Sequence, residues 1–211
     1  MIETKDLILI FLGAIAGLMH AIAFYKYHKQ VILGISHPPR ATWLLWVFVS
    51  TLNFFSYFVL GENWRLAILP GISTGACVLV FILFVRKNKL SKLRSWDNIV
   101  LVLGIIALLV WSWYRFNKMG AIYTNCILQL SVIASFIPIY SRFFQGREEE
   151  RGPLPWFIFS GAYILQLIVV FVEWEGVYMV FYPINCFFLH LIVGILALKN
   201  LKKNQKPERR F

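Results

Sequence analysis

This chain is short of charge. Only 15% of its 211 residues are Asp, Glu, Lys or Arg, where a water-soluble domain carries about a quarter. A water-facing globule is thereby excluded, and so is a disordered chain, which needs high charge and little hydrophobicity. Cysteine is scarcer still. Cys77, Cys126 and Cys186 are the three, each within an apolar run, which excludes a secreted disulfide framework and leaves them as small buried hydrophobes. Acidic residues number ten against twenty-one basic ones. No paired carboxylates and no activated nucleophile fall at membrane depth, so the chain does not read as an enzyme. His, Cys, Asp and Glu nowhere gather at ligand spacing, so neither a metal nor a cofactor is expected.

What is abundant is apolar and continuous: 59% hydrophobic, 17% aromatic, mean hydropathy +0.69. Seven stretches approach the ~20 residues that cross ~30 Å of hydrocarbon: 7–27, 42–60, 66–85, 98–114, 120–143, 155–173 and 177–198. Such a chain is an all-α integral membrane protein. Glu3 and Asp6 beside Lys5 make the first run a retained helix rather than a signal peptide. Seventeen of the Lys and Arg residues fall on one side, in the segments holding Lys26 to Arg40, Arg86 to Arg94, Arg142 to Arg151 and Lys199 to Arg210. Lys5, Arg65, Arg115 and Lys118 fall on the other. The positive-inside rule puts the C-terminus in the cytoplasm and the N-terminus outside, and the compact loops suit a bacterial plasma membrane. Divided among four short segments, these charges form no nucleic-acid groove.

The chain also repeats. Shifted by 113 residues without a gap, Tyr27 meets Tyr140, Lys29 meets Arg142, Trp43 meets Trp156, Asn53 meets Gln166, Glu62 meets Glu175 and Pro70 meets Pro183. The matched blocks, 7–87 and 120–200, each hold three spans. Span 98–114 is left over, and that extra crossing restores the direction of the second copy. The expected organisation is a first repeat over 1–90, a linker helix over 91–118 and a second repeat with a basic tail over 119–211. Parallel repeats of this kind build transporters whose site lies near mid-membrane between the copies.

Asn53-Phe-Phe-Ser-Tyr57-Phe-Val-Leu-Gly61, then Trp64 and Pro70-Gly71, with Gln166 and Pro183-Ile-Asn185 in the second copy, resembles the SWEET and PQ-loop transporter superfamily over nearly the whole chain. The resemblance implies seven spans in a 3+1+3 plan, a small-molecule substrate, and a substrate-facing asparagine at Asn185. The chain departs from the pattern in lacking a Pro-Gln dipeptide, having Pro38-Pro39 and Pro153-Leu-Pro155 near the loops, and in Ile72 at the position matching Asn185. Seven-span nicotinamide riboside transporters and the KDEL receptor share the general plan.

Polar side chains within lipid mark candidate sites. Ser50, Asn53 and Tyr57 lie within ~60° of one another on a helical wheel, and the repeat sets Tyr163 and Gln166 at the positions of Ser50 and Asn53. Tyr178, Tyr182 and Asn185 share a face of the last span; Asn125 and Gln129 share one of the fifth, Ser131, Ser135 and Pro138 another. A neutral amide donates and accepts without the desolvation cost of a charge, which suits a neutral polar solute; the same amides also serve as glue between helices. Pro138 is the expected hinge, read as the one proline interior to a span. His20 and His190 are the proton-coupling candidates. Glu62 and Glu175 sit at equivalent outer helix ends. Trp43, Trp46, Trp64 and Trp156 read as an interfacial belt. Gly71-Ile-Ser-Thr-Gly75 matches a nucleophile elbow, but an apolar helix lacks the strand that motif needs; it and Gly13-Ala-Ile-Ala-Gly17 fit close helix packing.

The sequence thus points to a facilitator or proton-coupled transporter moving a neutral polar solute, such as a sugar, by alternating access. Substrate-binding residues are expected at Ser50, Asn53, Tyr57, Gln129, Tyr163, Gln166, Tyr182 and Asn185. The alternatives are a seven-helix receptor or adaptor that does not transport, and a vitamin or nucleoside transporter of the nicotinamide riboside type. Membrane lipid and the solute are the expected partners, with self-association left open.

Overall fold

Seven apolar runs, separated by glycine, proline and charge, become seven helices. A computed structural model describes residues 4–37, 40–60, 64–87, 95–114, 118–145, 152–174 and 176–205. The helices are α1 (Thr4–Ile32), α2 (Arg40–Leu60), α3 (Ile68–Arg86), α4 (Ser95–Tyr114), α5 (Lys118–Phe144), α6 (Leu154–Val172) and α7 (Tyr178–Gln205). A 3-10 turn, Trp64–Ala67, leads into α3. Among the described residues there is no strand. α1 outruns its apolar core and closes on Gly34, whose φ of 71° is the left-handed conformation that ends helices. α6 starts beside Pro153 with Pro155 in its first turn, where a missing amide donor costs nothing.

Thr4–Ile32, Trp64–Arg86, Ile122–Phe144, Leu154–Val172 and Tyr178–Lys203 are long and apolar enough to cross a membrane. In α2 and α4 the described apolar segments are shorter, Thr42–Phe58 and Leu101–Trp113. Polarity runs opposite to that of a soluble protein. Leu7, Phe11, Leu18, Phe58, Leu79 and Ile105 are exposed, whereas Asn53, Asn125, Ser131, Ser135 and Gln166 are buried. Helices that satisfy their own backbones, sheathed in hydrocarbon with their amides inside, are what lipid selects. The chain is built as an integral membrane protein.

α1 packs on α3 and α6, α2 on α3 and α5, and α7 on α5 and α6, while α4 lies against α2 and α5. The α1–α3 approach is close because Gly13 and Gly17 offer bare backbone to Ile68 and Ile72. This is the packing role expected of G-x-x-x-G. Gly71 likewise admits the Phe54 ring, 3.1 Å from where a Cβ would stand, while Gly75 meets nothing. Both glycines lie within α3, so no nucleophile elbow forms.

Two sequence expectations are corrected. Pro138 is not the sole interior proline, because Pro183 lies inside α7. Trp43 and Trp156 are not interfacial: their exposures are 1% and 0%, since the rings fill the space between helices instead of the headgroup layer. Trp46 also packs against the core, and Trp64 alone of the four is exposed.

Candidate functional site

The site begins with two prolines. Pro70, in the first turn of α3, has no amide to offer the Leu66 carbonyl of the preceding turn, and Pro183, inside α7, deprives the Met179 carbonyl of its helical donor. In a dry interior each carbonyl needs another donor. Gln166 Nε2 donates to the Leu66 carbonyl at 3.1 Å, and Tyr57 Oη donates to the Met179 carbonyl at 2.6 Å. Leu66 and Met179 are themselves 113 residues apart. Gln166, an amide of the second half, serves the Leu66 carbonyl of the first, whereas the Met179 carbonyl of the second is served by Tyr57, one turn beyond Asn53. Asn53 is thereby released.

Its side chain is 1% exposed, and neither Nδ2 nor Oδ1 has a hydrogen-bond partner. It faces a cavity of about 50 Å³ among α1, α2, α3, α5, α6 and α7. α1 contributes His20 and Phe24 to the walls; α2 contributes Trp46, Val49, Ser50 and Asn53; α3 contributes Ser73 and Cys77. From the other half come Val132 and Phe136 of α5, Phe159 and Tyr163 of α6, and Tyr182, Cys186 and His190 of α7. None of the described residues of α4 lines it. Among the described residues, no Asp, Glu, Lys or Arg lines it either.

Most of the polar lining is already engaged. His20 Nδ1 and Ser73 Oγ share a hydrogen bond of 3.1 Å, and Tyr163 Oη and Tyr182 Oη share one of 3.3 Å. Ser50 Oγ donates to the Val47 carbonyl at 3.1 Å, and His190 Nδ1 to the Cys186 carbonyl at 2.7 Å. The second bond leaves Nε2 of a neutral His190 as an acceptor. His20 Nε2 is buried without a partner. The two imidazoles flank the same aromatic pair: each ring centre is 5.0 Å from Phe159, and they stand 4.8 and 5.4 Å from Tyr163.

Different chemistry stands at the two ends of the bundle. Where α1, α3 and α5 finish and α2 and α6 begin, Tyr27 stacks on Trp43 at 5.7 Å, Phe84 meets Trp43 edge-on at 4.9 Å, and Trp156 meets Tyr27 at 5.4 Å. At the opposite end, Arg65 ahead of α3 pairs with Asp6 of α1 at 2.7 Å and with Glu173 past α6 at 3.5 Å. Lys5 reaches Glu173 at 3.6 Å.

Of the residues expected to bind substrate, Ser50, Asn53, Tyr163 and Tyr182 meet at this cavity, together with both histidines. Tyr57 and Gln166 serve the proline carbonyls. Asn185 and Gln129 belong to a second polar cluster: Asn185 Nδ2 donates to the Gln129 carbonyl at 3.2 Å and to Gln129 Oε1 at 3.3 Å, and Gln129 Nε2 donates to Asn125 Oδ1 at 3.0 Å. Those bonds tie α7 to α5. Pro138 sits in α5 beside a turn braced from α2, where Thr42 Oγ1 donates to the Ser135 carbonyl at 3.1 Å and Trp46 Nε1 to Ser135 Oγ at 2.8 Å. Glu62, Glu175, Pro38, Pro39 and the run Glu148–Glu150 lie outside the described residues.

Ser73, Cys77 and Cys186 were not anticipated, nor was the Arg65 cluster. A signal for the first three existed: the 113-residue shift pairs Ser73 with Cys186 and Cys77 with His190. Among the described residues no group of His, Cys, Asp or Glu is arranged to hold a metal ion. No protein-family model, curated protein or solved structure matches the chain.

Proposed function

We propose that the protein is a small-molecule transporter of the SWEET and PQ-loop type, a facilitator or proton-coupled carrier, that moves a neutral polar solute by alternating access through the central cavity. One observation carries this reading: a buried, unpartnered carboxamide, Asn53, faces a space walled by three helices from each half of the chain. A buried amide with both atoms unpaired is costly in a membrane protein unless something fills it. The packing pattern supports the repeat. Exchanging α1, α2 and α3 for α5, α6 and α7 turns each main contact within and between the halves into another that is present. α4, on this reading, is the linker, and all seven helices span the membrane.

Positive-inside counting sets the Arg65 cluster on the outer side and the aromatic layer on the cytoplasmic side. The two ends then act as gates, one ionic and one aromatic, and the halves rock about the solute between them. Proteoliposome uptake of neutral solutes tests this. Wild type is expected to equilibrate at least one such solute across the bilayer and Asn53→Ala to lose that flux while inserting normally. Uptake indifferent to Asn53→Ala removes the cavity from the path, and binding without uptake favours a receptor.

A further inference from the structure

We infer that the cavity recognises a neutral solute with a flat unsaturated body and one amide-type donor–acceptor edge, of the nucleobase, lactam or primary carboxamide kind, in preference to a polyol. This specificity rests on reading the cavity as the solute site. Its ground is the hydrogen-bonding capacity that the walls leave unused. Ser73 and His20 occupy each other, as do Tyr163 and Tyr182, and His190 is held by its own helix. Among the lining residues, three buried atoms are wholly without partners, Nδ2 and Oδ1 of Asn53 and Nε2 of His20, and Nε2 of a neutral His190 adds one more acceptor.

A carboxamide presents its donor and acceptor side by side in one plane, which is why it pairs at two points with another amide edge or with a nucleobase edge. Asn53 is free to do so because Tyr57 occupies the Met179 carbonyl, the counterpart of the one that holds Gln166. His20 adds a third point. Its Nε2 donates or accepts according to the tautomer set at Ser73, so it suits either kind of atom on the solute. A sugar carries several hydroxyls, and these walls would leave most of them buried and unpaired, each at a cost. Much of the remaining wall is ring surface, Phe136, Phe159, Tyr163 and Tyr182 from the second half and Phe24 and Trp46 from the first. Rings of this kind take a flat body by face and edge contacts. With no charged side chain among the described residues that line the space, an ionised solute would be desolvated without compensation. The polar edge is thus held mainly by the first half and the flat body mainly by the second, so the solute itself joins the two.

The test uses the detergent-purified full-length protein titrated with uracil, adenine and benzamide and, separately, with glucose and sorbitol. Melting temperature reports binding to the folded state, and tryptophan fluorescence reports occupancy beside Trp46. The flat amides are expected to raise the melting temperature saturably and the polyols to leave it unchanged. Asn53→Leu is expected to weaken amide binding by about tenfold or more. Asn53→Ser is a second variant should leucine pack badly. Amide binding undiminished in both variants overturns the assignment. Polyol binding that is lost in Asn53→Leu overturns the solute class but preserves the central site. If neither panel binds, the solute class is also overturned, and the central site is then judged independently by thiol labelling of Cys77, which requires no solute.

Discussion

Tyr57 and Gln166 are separated by 109 positions in sequence yet do the same job, each giving a hydrogen to a carbonyl that a proline has stripped of its partner. Removing either donor leaves a buried acceptor in a medium without water. Tyr57→Phe is expected to destabilise the protein by about 1–3 kcal/mol, read as a lower melting temperature in detergent. It should also weaken solute binding, because Asn53 is then the nearest equivalent of the amide that serves the other half and is drawn to Met179. Gln166→Leu is expected to cost a similar amount of stability with solute affinity retained. Equal effects of the two substitutions on affinity would sink the distinction between a released amide and an engaged one. Sequence reading set both amides in the site because the repeat makes them equivalent. Their difference depends on a tyrosine one turn away, and a helical wheel cannot show which of two neighbouring polar groups reaches a given carbonyl.

At the scale of helices, the contacts that hold the bundle are steric in its middle and electrostatic or aromatic at its ends. Gly17 lets α1 lie on α3 where Ile72 already fills the space a Cβ needs. Gly17→Leu is expected to force the helices apart and cost about 1–3 kcal/mol, whereas Gly75→Ala, which meets nothing, should be nearly silent; thermal denaturation of the two variants checks the contrast. The ionic cluster makes a different prediction. Arg65 joins α1 to the segments flanking α3 and α6, so Arg65→Gln removes two of the three ion pairs seen among the described residues of the cluster. On the gating account, a membrane-impermeant thiol reagent applied from that side should then modify Cys77 and Cys186 severalfold faster than in the parent. An unchanged rate would mean that the cluster does not gate the cavity. Helix number and position were legible from the apolar runs, whose ends fall within three residues of those of the helices except that α1 and α7 run five and seven residues further at their C-terminal ends. The cluster was not, because Asp6, Arg65 and Glu173 come from distant segments and only the packing of α1 between α3 and α6 brings them together. The tryptophans failed for a related reason: a belt residue and a plug residue look alike in sequence, and burial decides between them.

Taken whole, the molecule has an apolar exterior, a polar seam within, and a cavity to which both three-helix groups contribute while α4 stays outside. If that cavity is a path and not a pocket, it must open to each side in turn. Cys77 and Cys186 already line it, and Cys126, the other cysteine, is absent from its walls. The most direct measurement is labelling of these two cysteines in a Cys126→Ser background by an impermeant thiol reagent, in sealed vesicles of both orientations. Alternating access predicts reaction from both faces, with Arg65→Gln speeding reaction from the side of the ionic cluster and slowing it from the other. Reaction confined to one face in both proteins, or absent from both faces, would contradict transport through the centre of this bundle.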